Sequence, residues 1–320
     1  MNDLPPEARL WNLIRGALGT KALGSAADLG VADALATGPR SVAELSEENG
    51  ADTDTLHRIL RALASDGVFA EDEPGVFRNT EASELLRSDD DDRWREFAHL
   101  FGEVCYPAIG ALDARLTDVP FARAYGTDIW SWFATKPEER SNFDRAMEGG
   151  QAERADKLAA LEWREDETVV DVGGGSGRLL RDLLERRPEL RGIVFDLPEA
   201  DRDETAVGDR ITFVSGSFFE QLPEGDAYVL SKILHDWDDE RAAAILRTVR
   251  AAAPDEARLL VLDSVVPPGN DSAGVKWLDL LMLVLQRGRE RTEPDWHALL
   301  DGAGFRVDEI EDGLIQARCR

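Results

Sequence analysis

The chain has 320 residues, with 37 Lys and Arg against 64 Asp and Glu, a formal net charge of −27. That length supplies one large domain or two ordinary ones with a real core, and 43% hydrophobic with 32% charged residues excludes the disordered and fibrous classes. The acidic balance repels nucleic-acid phosphates, no apolar run approaches the ~20 residues of a membrane span, and Cys105 and Cys319, far apart, imply neither a disulfide framework nor a cysteine metal site.

The opening "MNDLPPEARLWNLIRGALG" carries acids before its first Arg and has no signal-peptide pattern, so a cytoplasmic protein with reduced thiols is expected. From 26 to 80 the pattern is helical, with Leu29, Val31, Ala34 and Leu35 on one face. "GPRS" interrupts it, and Ser41 is a candidate N-cap for "VAELSEENG". Asp52 or Thr53 begins a further helix with an apolar stripe of Leu56, Ile59, Leu60 and Leu63. "VFAEDEPGVFRNT" then alternates around a Pro-Gly turn as a hairpin does. Helix, turn, helix and hairpin make a winged helix. Its second helix offers His57, Arg58 and Arg61, but Asp52, Asp54 and Asp66 surround them, which favours protein–protein contact over DNA reading.

Residues 93–161 are helical and rich in aromatics, including Trp130, Trp132 and Phe133. Core packing accounts for most of them, while Trp130 and Met147 are candidates for the wall of a pocket that takes a flat substrate. After 165, strands alternate with helices: "TVVDVG", "RGIVFDLP", "RITFVSGSF", "DAYVLSKIL" and "ARLLVLDSVV", then "RVDEIEDG" and "LIQARCR" behind a last helix. Short connections in that alternation predict a doubly wound, mostly parallel sheet.

"VVDVGGGSGRLL" ends a strand and opens a helix, with Gly173, Gly175 and Gly177 at alternate positions. Such glycines permit close approach of a ligand to the backbone. Arg178 stands where a dinucleotide fingerprint needs its last glycine, and no Walker lysine follows. About twenty residues on, Asp196 ends the second strand, placed to accept hydrogen bonds from ribose hydroxyls. Ser217 and Phe218 end the third, where they would flank an adenine.

Taken together, "DVGGGSG", "FDLP", "GSFF", "LSKILHDWDDE", "GRERT" and "GAGF", after a winged helix, resemble the small-molecule O-methyltransferases of the caffeic-acid type and their bacterial polyketide-tailoring relatives. The resemblance covers nearly the whole chain. It implies a Rossmann-like class I methyltransferase domain with a mostly parallel seven-stranded sheet, preceded by an α-helical winged-helix dimerisation domain. The boundaries read as 1–92 for the dimerisation domain, 93–161 for a helical linker contributing to the substrate pocket, and 162–320 for the catalytic domain. It implies S-adenosyl-L-methionine as cofactor, S-adenosyl-L-homocysteine as product, no metal, a small aromatic substrate and a homodimer formed through the N-terminal domain, with no nucleic-acid or membrane partner. Its cofactor contacts would be Gly173, Gly175, Asp196, Ser217, Phe218 and Ser231, and its pocket walls Trp130, Met147, Trp277, Asp279 and Met282. His235 maps onto the family's catalytic base, with Asp263 and Glu290 as the acids that orient it. Many relatives carry Asp at the position of Ser217 and Glu at that of Asp263, so these two contacts are made differently here.

A phenol of pKa ~10 is mostly protonated at neutral pH, and a positioned base is worth ~10²–10⁴-fold. Imidazole can serve, with a carboxylate on its other nitrogen to fix the tautomer. Asp236, Asp238 and Asp239 read as charges at a helix N-terminus. His57 and His297 read as surface or packing residues, and His99 as a possible border of the aromatic pocket. Two other functions stay open: a cofactor-binding relative that performs hydroxylation, decarboxylation or a pericyclic reaction, and a winged-helix regulator that senses a small ligand.

Overall fold

The computed structural model describes residues 4–115, 117–198, 200, 210–270 and 273–320. The chain forms two compact units, 1–110 with 136–149, and 111–135 with 150–320. Of the stretch 93–161, residues 93–110 and 136–149 fall in the first unit and 111–135 and 150–161 in the second.

In the first unit α1 (Pro6–Asp28) and α2 (Val31–Ala34) are separated by Gly30 at φ 64°, so the face that joined Leu29 to Ala34 in one helix is split. Strand β1 (Arg40–Ser41) leads into α3 (Val42–Asn49), whose N-terminus is closed by a reciprocal Ser41–Glu44 capping box. Next comes α4 (Thr53–Ser65), capped by Asp52 and burying Leu56, Leu60 and Leu63. The hairpin of β2 (Phe69–Glu73) and β3 (Val76–Asn79) completes a three-stranded sheet of order β1-β3-β2. Helix α5 (Glu81–Glu84) follows, then α6 (Trp94–His99), a π-helical turn (Leu100–Cys105) and α7 (Tyr106–Gly110). On α1, the apolar Leu10, Trp11, Leu13, Ile14 and Leu18 are exposed, Ile14 by 70% and Leu18 by 74%.

The second unit begins with α8 (Pro120–Tyr125) and α9 (Ile129–Ala134), after which α10 (Pro137–Met147) belongs to the first unit again. Within that unit His99 bridges α1 and α10: Nδ1 lies 2.6 Å from Asp28 and Nε2 2.9 Å from Glu139. It thus sits in an ion-pair clamp. The hydrogen bond to Asp28 outweighs partial burial and, with Glu139, raises the His99 pKa to about 9. Since the folded value lies above the unfolded ~6.5, the clamp's stabilisation is complete below ~6.5 and is lost as pH rises through about 9. His99→Gln is expected to lower stability by roughly 1–2 kcal/mol at pH 6, allowing for solvent screening, and by little at pH 10. Denaturant melts at the two pH values check this; an equal loss at both would remove the ionic account.

The rest of the second unit is α11 (Gln151–Ala159), β4 (Thr168–Val172), α12 (Arg178–Arg186), β5 (Arg191–Asp196), β6 (Ile211–Ser215), β7 (Ala227–Ser231), α13 (Asp239–Ala252), β8 (Arg258–Leu262), α14 (Ala273–Gln286), α15 (Glu293–Gly302), β9 (Phe305–Glu311) and β10 (Leu314–Cys319). The seven strands lie in the order β6-β5-β4-β7-β8-β10-β9, the first five parallel and β10 antiparallel to both neighbours. Strand periodicity explains the two cores. Tyr228 and Leu230 of β7 join Ile245, Val249 and Trp296 on one face, whereas Ala227 and Val229 join Leu180 and Leu183 of α12 on the other. Among the described residues no helix is long and apolar enough to cross a membrane.

Candidate active site

The site residues collect beyond the carboxyl ends of the parallel strands, where open α/β sheets bind ligands. Gly173 and Gly175 follow β4, Asp196 ends β5, Ser217 follows β6, Ser231 ends β7 and Asp263 follows β8. The glycine turn is tight. Gly173 stands at φ 77°, and a Cβ there would meet Ile233 Cδ1 at 2.4 Å, so this turn and the His235 segment pack without room for a side chain. Asp196 accepts hydrogen bonds from Gly175 N at 2.8 Å and Leu197 N at 2.6 Å, which aims its carboxylate at the same turn. Ser217 Oγ accepts from Phe219 N at 3.3 Å, a turn-forming role for the serine. Phe218 stacks edge-on with Phe219 and Trp237.

Two polar groups here escaped the sequence reading. Asp171, under the glycine turn, is buried with Oδ2 unpartnered, and burial together with nearby Asp196 raises its pKa to about 7. Arg154, on α11, is largely buried and donates to Ser231 Oγ at 3.2 Å, within the field of Asp171 and Asp263. A buried carboxylate and a partly buried guanidinium beside a glycine turn fit the ammonium and carboxylate of an amino-acid end, and Asp196 fits a ribose. The residues present therefore suit an amino-acid nucleoside such as the expected cofactor.

The structure shortens the fourth parallel strand. β7 ends at Ser231, because Lys232 adopts φ 57°, and His235 lies in a single 3-10 turn, Leu234–Asp236. His235 is 7% exposed. Its Nδ1 lies 2.6 Å from Glu290 Oε1 and 3.6 Å from Asp263 Oδ1, and its Nε2 3.5 Å from Asp236 Oδ1. The first is a charge-assisted hydrogen bond; the other two are charge contacts beyond bonding range. Burial opposes the imidazolium, but Asp263, the bond to Glu290 and Asp236 outweigh it and raise the His235 pKa to about 9.

One ligand atom from each of His235, Asp263 and Glu290 falls within 4.8 Å of the others, a spacing that invites a metal reading. The 2.6 Å between Nδ1 and Oε1 is shorter than the ~3.3 Å separating two ligands each about 2.0–2.1 Å from a tetrahedral ion. This contact holds a proton.

The loop bearing Glu290 is moored on several sides. Arg289 N donates to His235 O at 2.8 Å, Glu290 N to Asp279 Oδ1 at 2.8 Å and Gly288 N to Met282 O at 3.1 Å. Arg291, fully buried, donates to Leu234 O at 2.8 Å, to Trp237 O at 2.9 Å and to Asp239 at 3.0 Å. Its planar fork thus ties the carbonyls on both sides of His235 to the loop that carries Glu290. Asp279 and Met282, expected as pocket walls, hold this loop, and Trp277 is 55% exposed. Trp130 packs against the sheet core beside Phe133, while Met147 ends α10 in the first unit. The three acids after His235 divide: Asp238 caps α13, Asp239 pairs with Arg289 and Arg291, and Asp236 is a partly buried neighbour of the imidazole rather than a helix-end charge. Burial raises the Asp236 pKa to about 6 despite the attraction of His235.

Arg291 and Asp236 stood inside the quoted motifs, yet no signal marked their roles. Arg291 acts on carbonyls 54 and 57 positions away, and a carbonyl belongs to every residue.

Comparison with known proteins agrees with this geometry. A family profile described as an O-methyltransferase domain matches residues 109–306, and one described as an O-methyltransferase dimerisation domain matches 11–89. The phenazine O-methyltransferase of Lysobacter antibioticus is 38% identical over 317 residues, 96% of this chain and 93% of that one. The crystal structure of LaPhzM superposes with a TM-score of 0.92 at 37% identity, covering 99% and 100% of the two chains. The neocarzinostatin-biosynthesis O-methyltransferase, solved with S-adenosyl-L-homocysteine and 1,4-dihydroxy-2-naphthoic acid, gives 0.78 at 32% identity, covering 94% and 96%.

Proposed function

Because this chain belongs to the O-methyltransferase family in both its catalytic and its dimerisation domain, we propose that it methylates a phenolic or enolic hydroxyl of an aromatic natural product, with S-adenosyl-L-methionine as donor and His235 as general base. The observation that carries the reading is the buried His235–Glu290 pair at 2.6 Å, held beside the glycine turn at the carboxyl edge of the sheet. The cofactor supplies an electrophilic sulfonium methyl. Asp171 and Arg154 would bind its amino-acid end and Asp196 its ribose, with Gly173, Gly175 and Ser231 against its backbone-facing side, and Ser217 and Phe218 near the adenine.

The proton step belongs to the protein. In its neutral form, with Nδ1–H donated to Glu290, His235 would present a lone pair at Nε2, the nitrogen left to accept the substrate's proton. Asp236, near Nε2, would stabilise the imidazolium that forms. A base pKa of about 9 lies close to that of a phenol, ~10, so the transfer is nearly balanced.

Turnover of phenolic acceptors, read as S-adenosyl-L-homocysteine by mass spectrometry, tests the activity. Cofactor binding with no such product from any acceptor would turn the reading towards non-methylating chemistry. The exposed apolar face of α1 supports a homodimer formed by the first unit. Replacing Ile14 and Leu18 together with Glu is expected to give monomers in sedimentation; a dimer that persists would move the interface off α1.

A further inference from the structure

The site holds more negative charge than its histidine can balance. Asp263 and Glu290 both have side chains shielded completely from solvent, and each keeps one carboxylate oxygen, Oδ2 and Oε2, without a hydrogen-bond partner. Both face the one imidazole nitrogen, and Asp236 adds a third charge at the other. Left uncompensated, that field would leave the neutral imidazole, the form that acts as base, an even smaller fraction at neutral pH than its pKa of about 9 already allows.

Lys232 answers it. Its Nζ lies 3.3 Å from Asp263 Oδ1, the same oxygen that sits 3.6 Å from His235 Nδ1, and donates to Ser264 Oγ at 2.7 Å. Ser264 N also donates to that oxygen at 2.9 Å. Asp263 is thereby engaged from the lysine's side, while Glu290 alone bonds the imidazole. The residue reaches this position through a left-handed backbone, φ 57°, which costs a non-glycine residue free energy, and its own N–H is fixed to Leu262 O at 2.9 Å.

We propose that Lys232 is a positioning residue that neutralises Asp263 and so sets the basicity of His235, dividing two acids of the same type into an orienting partner, Glu290, and a charge whose strength the lysine controls. The inference rests on His235 as base. Other charges face the same cluster: Arg154 from α11 and Arg291 from the loop act on Asp263 at longer range, and Asp279 of α14 meets Glu290 through its backbone N–H. Of these, Lys232 touches the carboxylate and leaves a side chain 32% exposed, so it can be changed without opening the core.

The sign is fixed. Removing a cation beside Asp263 strengthens the field on the imidazolium and raises its pKa. In Lys232→Met and in Lys232→Gly, which relieves the left-handed strain while deleting the amine, the titration midpoint of His235 is expected to rise by roughly 0.5–1 unit. It should stay near wild type in Lys232→Arg. Selective ¹³Cε1-histidine NMR reads the midpoint without a substrate, and the four histidines are resolved by comparison with His235→Gln. With 1,4-dihydroxy-2-naphthoic acid as the probe acceptor, if it is turned over, kcat/KM at pH 7 would fall roughly 3- to 10-fold in the Met and Gly variants and recover above about pH 10. A midpoint that is unchanged or lowered in both Met and Gly variants overturns the proposal. Failure of the base reading looks different: the wild-type activity profile would not follow the NMR midpoint of His235, while the Lys232 shift would persist.

Discussion

His235→Ala is expected to lower kcat by ~10²–10⁴-fold, with the affinity for S-adenosyl-L-methionine close to wild type by calorimetry. The imidazole is not among the groups assigned to the cofactor, so only the proton step is lost. The pH profile distinguishes this from a general disturbance. The wild-type rate rises from neutral pH towards about 9, as the imidazolium held by Asp263, Glu290 and Asp236 releases its proton. The variant, dependent on ionisation of the acceptor itself, continues to rise towards the phenol's ~10. Turnover equal to wild type at neutral pH would eliminate the general-base role and leave the cofactor assignment untouched.

Gly288→Ala is expected to be nearly as damaging, although it adds a single methyl. A Cβ at 288 would lie 2.2 Å from His235 O and 2.8 Å from the Asp236 carbonyl carbon. Both obstacles are backbone, so no rotamer change relieves them, and the loop must retreat from the His235 segment. That retreat stretches the Arg289 N–His235 O bond and carries Glu290 off Nδ1. Misplacement of about 1 Å in such a dyad costs on the order of 10²-fold in kcat/KM, and overpacking costs about 1–3 kcal/mol of stability. Gly274→Ala is the control, because among the described residues nothing lies within 4 Å of its added methyl. Wild-type turnover and melting temperature in Gly288→Ala would refute the close-packing account.

Much of the fold was legible in local strings. The unbroken apolar run of "AYVLS" and the four leucines of "GRLLRDLLERR" read as a strand and a helix, and they are β7 and α12. The order of motifs pointed to the family, and the family profiles match both parts of the chain. Local strings failed where a backbone bends without a common signal. "SKIL" has strand composition, yet Lys232 turns left-handed, ends the strand and lets His235 swing into a separate turn. They failed again at Gly30, where one periodic face became two helices.

The site divides in the same way. The resemblance of "LSKILHDWDDE" and "GRERT" to the family's motifs marked His235, Asp263 and Glu290 as a group, with Glu290 in the loop between α14 and α15. Which acid bonds the imidazole, which is claimed by Lys232, and why Asp236 belongs to the site while Asp238 and Asp239 serve α13, were decided by tertiary structure alone. The physical reason is distance. A hydrogen bond is settled within a few tenths of an ångström, and the partners here lie 31 and 55 residues apart. Their separation is set by strand register, by the clamp of Arg291 and by the close approach at Gly288. The sequence by itself determined which groups could meet at the mouth of the sheet; only the packed backbone decided which of them share a proton.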